Sequence, residues 1–224
     1  MSQVAGAKLA HENPAIADLS NPNRPTKVGE KNSQLYDNEW TEAYTALLKD
    51  ENSASDEKLT GYLYSILIDS YRFCEGVRKT QKKRLEDILF HPAVNMESGL
   101  ISQMKDLSEI LAKHLSDATK MSGDVASLNM VQAFAVDKDM KTKHGKRMQQ
   151  CKAFIEECVK LCWLMHVQTP PLCIDTKTTK GEHLEKEKYK EYTRKGQKIA
   201  FVVWPALFLH EKGPLVAKGV AQGE

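Results

Sequence analysis

No apolar run in the 224 residues approaches the ~20 that a membrane-spanning helix needs. The longest, residues 199–209, is interrupted by Pro205. The opening residues, MSQVAGAKLAHENP, lack the charged-then-apolar order of a secretory signal and the arginines of a transit peptide. Cysteine is sparse and odd in number, with Cys74, Cys151, Cys158, Cys162 and Cys173. An odd set without an export signal points to reduced thiols in a reducing compartment. No GxSxG, HExxH or phosphate-loop motif occurs. No repeat recurs at a fixed period, and no heptad pattern lasts long enough for a coiled coil. What is present is 41% apolar and 28% charged residues, enough for one sizeable core and too apolar for a chain disordered throughout. Composition alone points to a soluble intracellular globular protein and names no function.

The net charge of +2 hides an asymmetry. Residues 1–75 hold 7 Lys/Arg against 12 Asp/Glu, and residues 137–198 hold 15 against 9. Such a molecule favours oriented contacts with anionic surfaces or with copies of itself.

Residues 1–29 are rich in Asn, Pro, Ala and Ser and show no period, which predicts a flexible lead-in. Tyr36, Trp40, Tyr44 and Leu47 then fall on one helical face. Ser55 or Asp56 caps a long second helix, with Leu59, Leu63, Ile66, Leu67, Phe73 and Val77 inward. Leu100, Met104, Leu107, Leu111 and Leu115 predict a third helix, and residues 125–136 a short one. A further helix is predicted over about 141–168, with Met148, Cys151, Ile155, Cys158, Cys162 and Met165 inward; Pro170-Pro171 ends it. Residues 174–183 read as a polar loop and 182–194 as a surface helix or mobile arm. Short apolar runs around Gly213-Pro214 predict a β-hairpin over about 199–222. The expectation is a mainly α fold: a helical bundle of four or five main helices over about 34–195, closed by a small C-terminal hairpin. Residues 30–224 form one domain in this reading.

Candidate chemistry is thin. Cys158, Cys162 and His166 share a helical face and could converge on zinc, but a tight CxxC pair is missing. Cysteines at helical spacing read more simply as small buried hydrophobes, so no metal and no cofactor are expected. No constellation of histidines, carboxylates or thiols supports catalysis, and the chain reads as a non-enzyme. Two basic groups stand out: Arg78, Lys79, Lys82, Lys83 and Arg84, and Lys138, Lys141, Lys143, Lys146 and Arg147. Either group is an ordinary solvated helix face or a contact for anionic lipid headgroups, where each cation contributes ~1 kcal/mol. Aromatics are not interleaved with the lysines, which argues against a nucleic-acid groove.

Three stretches carry a resemblance: Leu35-Tyr36-Asp37-Asn38-Glu39-Trp40-Thr41-Glu42-Ala43; Cys162-Trp163-Leu164-Met165 followed by Pro170-Pro171; and Val203-Trp204-Pro205-Ala206-Leu207 with Gly213-Pro214-Leu215 and Lys218-Gly219-Val220. Together they resemble the C-terminal domain of the mitochondria-eating protein (Mieap) family, over roughly residues 24–222. The resemblance implies a cytoplasmic, non-catalytic module that associates with mitochondria and serves their quality control. It implies peripheral contact with the anionic lipid cardiolipin; self-association as a homo-oligomer, which the charge asymmetry favours, and contacts with mitochondrial outer-membrane proteins are further expectations. The lipid candidates are Arg78, Lys79, Lys82, Lys83, Arg84, Lys141, Lys143, Lys146 and Arg147. The alternative is a docking domain that recruits a protein through an apolar groove. Family members carry a long coiled coil before this domain, so the chain is expected to be an isolated domain or a short form. The motif residues Trp40, Trp163, Trp204, Pro205, Gly213, Pro214, Lys218 and Gly219 themselves read as structural.

Overall fold

Pro25 opens the first helix, where its missing N–H costs nothing and its fixed φ suits the first turn. The structure, a computed structural model, describes residues 21–50, 54–90 and 109–224. Helix α1 spans Pro25–Leu35 and runs into a π-helical turn, Tyr36–Trp40, and then α2, Thr41–Asp50. The π turn inserts an extra residue per turn. Trp40 lies between Tyr36, tilted against it at 4.9 Å, and Tyr44, stacked on it at 5.3 Å.

Helix α3, Asp56–Phe90, is 35 residues long. Ser55 caps it, its hydroxyl accepting the Lys58 N–H at 3.3 Å, and Asp56 and Glu57 complement the helix dipole. The expected stripe is there: Leu59, Leu63, Ile66 and Leu67 are fully buried, while Phe73 and Val77 are half-buried at the core's edge. Helices α4 (Glu109–Met121), α5 (Gly123–Val136) and α6 (Lys138–His144) follow. Asp137 caps α6 by accepting the Asp139 and Met140 N–H groups. Helix α7, Lys152–His166, is the central element, touched by α1, α3 and α5. From Leu161 through Val167 every residue is buried, the pattern of a helix enclosed on all sides. Trp40, Leu63, Phe154, Cys158 and Trp204 lie in one core, with Phe73 only partly buried against it; Leu107 lies outside the described residues.

The tail holds two three-stranded sheets. Strands β1 (Cys173–Ile174), β4 (Leu207–Phe208) and β5 (Leu215–Ala217) form one, all antiparallel. Strands β2 (Tyr189–Glu191), β6 (Gly219–Gly223) and β3 (Ile199–Trp204) form the other, with β6 central, parallel to β2 and antiparallel to β3. The fold is mainly α.

Several expectations need correction. The helical region starts at Pro25 rather than near Gln34, because Asn23 donates to Asp124 at 2.9 Å and ties the entry of α1 to α5. Residues 1–20, the rest of the expected lead-in, lie outside the described residues, as does the first part of the third helix with Leu100 and Met104. The helix expected over 141–168 is two helices. Lys143 and His144 reach Asp69 on α3, at 3.0 Å each, and Arg147 lies over the Tyr62 ring, so the chain turns between α6 and α7. Residues 182–194 are neither a helix nor a mobile arm, and the helical body ends at His166. There Leu184 and Tyr189 are buried and Tyr189 enters the sheet, so burial overrides a locally polar composition. The expected hairpin exists only as β4–β5 around Gly213-Pro214. The longer strand β3 skips it and pairs with β6.

Candidate functional site

The two basic groups do not form one surface. Arg78 is half-buried and donates to Gln81 at 3.3 Å; burial draws its pKa down, with Glu86 opposing. Lys79 pairs with Glu75 at 2.8 Å and Lys82 with Glu86 at 3.9 Å. Lys83 and Arg84 are exposed and make no ion pair among the described residues. Beyond Val77 no described residue of α3 is buried, so this end of the helix leaves the core with Ile88 at 68% and Leu89 at 44% exposure. In the second group, Lys143 is exposed but pairs with Asp69 and the half-buried Arg147 lies over the Tyr62 ring, while Lys138, Lys141 and Lys146 stand in solvent. Asp69 precedes Arg78 by nine residues, so the groups are staggered ~14 Å along α3.

The cysteine face is spent on packing. Cys158 and Cys162 are fully buried, and burial raises both thiols well above their ordinary value. Cys162 donates to the Leu67 carbonyl at 3.9 Å, and Cys74 to the Val159 carbonyl at 3.5 Å. Burial pushes Cys151 up to about 11. His166 donates Nε2–H to the Tyr71 carbonyl at 3.0 Å, and burial holds its pKa below the usual histidine value. Among the described residues no group of three or more His, Cys, Asp or Glu side chains is placed to hold a metal ion. No described helix is long and apolar enough to cross a membrane.

The residues that carry the family resemblance meet elsewhere. Trp40, Trp163, Trp204 and Pro205 are buried. Gly219 is fixed by close approach: a Cβ there would lie 2.6 Å from the Ala206 nitrogen and the Trp204 oxygen. Gly213 sits in the β4–β5 turn against the His210 ring, and the Pro214 carbonyl accepts the Leu209 N–H at 3.0 Å. Lys218 donates to the Lys186 carbonyl at 2.7 Å.

Yet members of separate motifs also line one cleft of about 220 Å³. Cross-strand pairing aligns Lys190, Val220 and Trp204, so their side chains share a sheet face. Tyr192 and Lys218, each two residues along a strand direction, fall on that same face. Opposite stand Asn32 and Tyr36 of α1 and the π turn, with Asp37 and Glu191 at the rim. Burial, then the Asp37 and Asp56 carboxylates, push the Tyr36 hydroxyl up to about 12, so it stays protonated at neutral pH. Tyr36 and Trp204 rings lie 5.6 Å apart. Asn32 is 1% exposed, and neither atom of its amide has a hydrogen-bond partner among the described residues. The Trp204 indole N–H is likewise buried and unpartnered. The motif spacing marks Tyr36, Asp37, Trp204 and Lys218; nothing in the sequence marks Asn32, Lys190 or Tyr192, which join only through the sheet register. A larger cleft of about 410 Å³ lies among Glu57, Lys180, Arg194, Lys195 and Phe201, with no orphaned buried polar side chain.

No curated protein and no solved structure matches the chain. A family model described as mitochondria-eating protein matches residues 24–223, nearly the whole length and every element from α1 to β6. The motif stretches seen in the sequence are thus parts of one continuous match, and the chain belongs to the mitochondria-eating protein family.

Proposed function

We propose that this chain serves mitochondrial quality control, the role its family membership carries, as a non-catalytic module that contacts an anionic mitochondrial membrane surface such as cardiolipin. The observation that supports the reading is the end of α3. Lys79, Lys82, Lys83 and Arg84 stand there beside the exposed Ile88 and Leu89. A helix with basic and apolar residues side by side suits the headgroup boundary, where lysines meet phosphates and aliphatic side chains leave water. Lys138, Lys141 and Lys146 add an outlying positive group, whereas Lys143 and Arg147 hold α6 and its turn to the core.

Vesicle flotation tests it. The protein is expected to float with vesicles containing cardiolipin and not with phosphatidylcholine alone, and less so as salt rises. Replacing Lys83 and Arg84 by Gln removes two cations that make no ion pair among the described residues, worth ~2 kcal/mol together, so binding should fall about thirtyfold while the thermal transition holds. Undiminished flotation of the double variant rules this surface out.

A further inference from the structure

We propose that the cleft between α1 and the β2–β6–β3 sheet binds an extended peptide segment of a partner, pairing one backbone amide of that peptide with Asn32 and seating an apolar or aromatic side chain among Tyr36, Tyr192 and Trp204. This is independent of the lipid reading.

Buried amides are almost always hydrogen-bonded, and each orphaned atom is an uncompensated cost in the free protein. Here two adjoining orphans, Nδ2 and Oδ1 of Asn32, underlie the same cleft as a third, the Trp204 indole N–H. Their combination selects the ligand. An anion satisfies the two donors and leaves Oδ1 unpaired. A cation satisfies Oδ1 and leaves Nδ2 and the indole unpaired. A peptide group presents a carbonyl and an N–H together and satisfies both kinds. The rim agrees, since Asp37 and Glu191 offset Lys190 and Lys218 and favour a chain of no strong net charge. The carboxylates also oppose a nucleotide phosphate, although a base edge could match an amide. The rings supply the apolar contact, Tyr36 and Trp204 lying 5.6 Å apart and tilted by 47°. The space suits one side chain with its flanking peptide group. Because the Asn32 amide lies under the floor, binding includes a side-chain rotation that exposes it, favoured by ending its unpaired state. A π-helical turn forms one wall, a geometry that recurs at functional sites.

The test is a ¹H–¹⁵N titration of the full chain, following the Trp204 indole and Asn32 side-chain amide resonances. The probes are N-acetyl-tyrosine methylamide, adenosine monophosphate, inorganic phosphate and choline. Saturable shifts of both resonances are expected with the blocked tyrosine alone. Asn32→Leu should weaken the probe at least tenfold while the melting temperature holds or rises, because it removes an orphaned amide. The proposal is overturned if the blocked tyrosine moves neither resonance, or if adenosine monophosphate, phosphate or choline moves them instead. It is equally overturned if Asn32→Leu lowers the melting temperature by several degrees, which would mean that water already pairs the amide in the free protein.

Discussion

Asp175 sits in what reads as a plain polar loop, yet it gathers the tail. Its carboxylate accepts the Lys177 N–H at 2.9 Å, the Thr178 hydroxyl at 2.6 Å and the Tyr189 hydroxyl at 2.9 Å, and pairs with Lys188. Burial by itself would raise its pKa; the Lys188 ammonium, the Thr178 hydroxyl, the Lys177 N–H and the Tyr189 hydroxyl overcome this and hold it well below the usual carboxylate range. A carboxyl whose folded pKa lies below its unfolded value of ~3.9 stabilises the fold fully above that value. That stability is lost as pH falls from there toward the folded pKa. Asp175→Asn should therefore cost ~2 kcal/mol at pH 7, within the range for hydrogen bonds to a charged group. Urea denaturation at descending pH should show the gap closing only below about pH 4. A gap independent of pH would mean the carboxylate's charge does not matter. The sequence shows the Asp175-x-Lys177-Thr178 turn but not Tyr189 and Lys188, which arrive from β2 and the turn before it.

Helix α3 joins two environments in one element. Up to Cys74 it buries Leu59, Leu63, Ile66, Leu67 and Cys74; from Arg78 on nothing described is buried. Most helical stability comes from packing rather than propensity. Amide hydrogen exchange should therefore be slow through Cys74 and faster by orders of magnitude over residues 79–89. Uniform protection along α3 would mean that the outer end is packed against something. The stripe from Leu59 to Val77 was legible as a helical period. The break at residues 145–151 was not, because it depends on Asp69, nearly eighty residues upstream, drawing in Lys143 and His144. Helix α5 has the opposite character: it buries Met130 and Phe134 on one side and leaves Val125, Leu128 and Val136 exposed on the other.

For the molecule as a whole, the tail completes the core. Trp204 joins the main cluster with Trp40 and Phe154, and β3 lies on α3. Strand β6 is the middle strand of its sheet, so a chain ending at Lys218 separates β2 from β3 and uncovers Trp204 and Tyr189. Its tryptophan emission is expected to shift to the red and its thermal transition to lose cooperativity. An unshifted spectrum would show that the helices enclose Trp204 unaided. Local chemistry along the chain is enough for the helical stripes, the Ser55 cap, the buried thiols, the turn at Gly213-Pro214 and the motif stretches that place the chain in its family. Those rest on spacing within a few residues. Tertiary contacts alone settle which strand pairs with which, that a charged segment becomes β2, that Lys143 and Arg147 engage Asp69 and Tyr62, and that Asn32 and Trp204 line one cleft. Each of these is a contact between segments far apart in sequence, where burial and hydrogen bonding outweigh local propensity and leave no periodic trace.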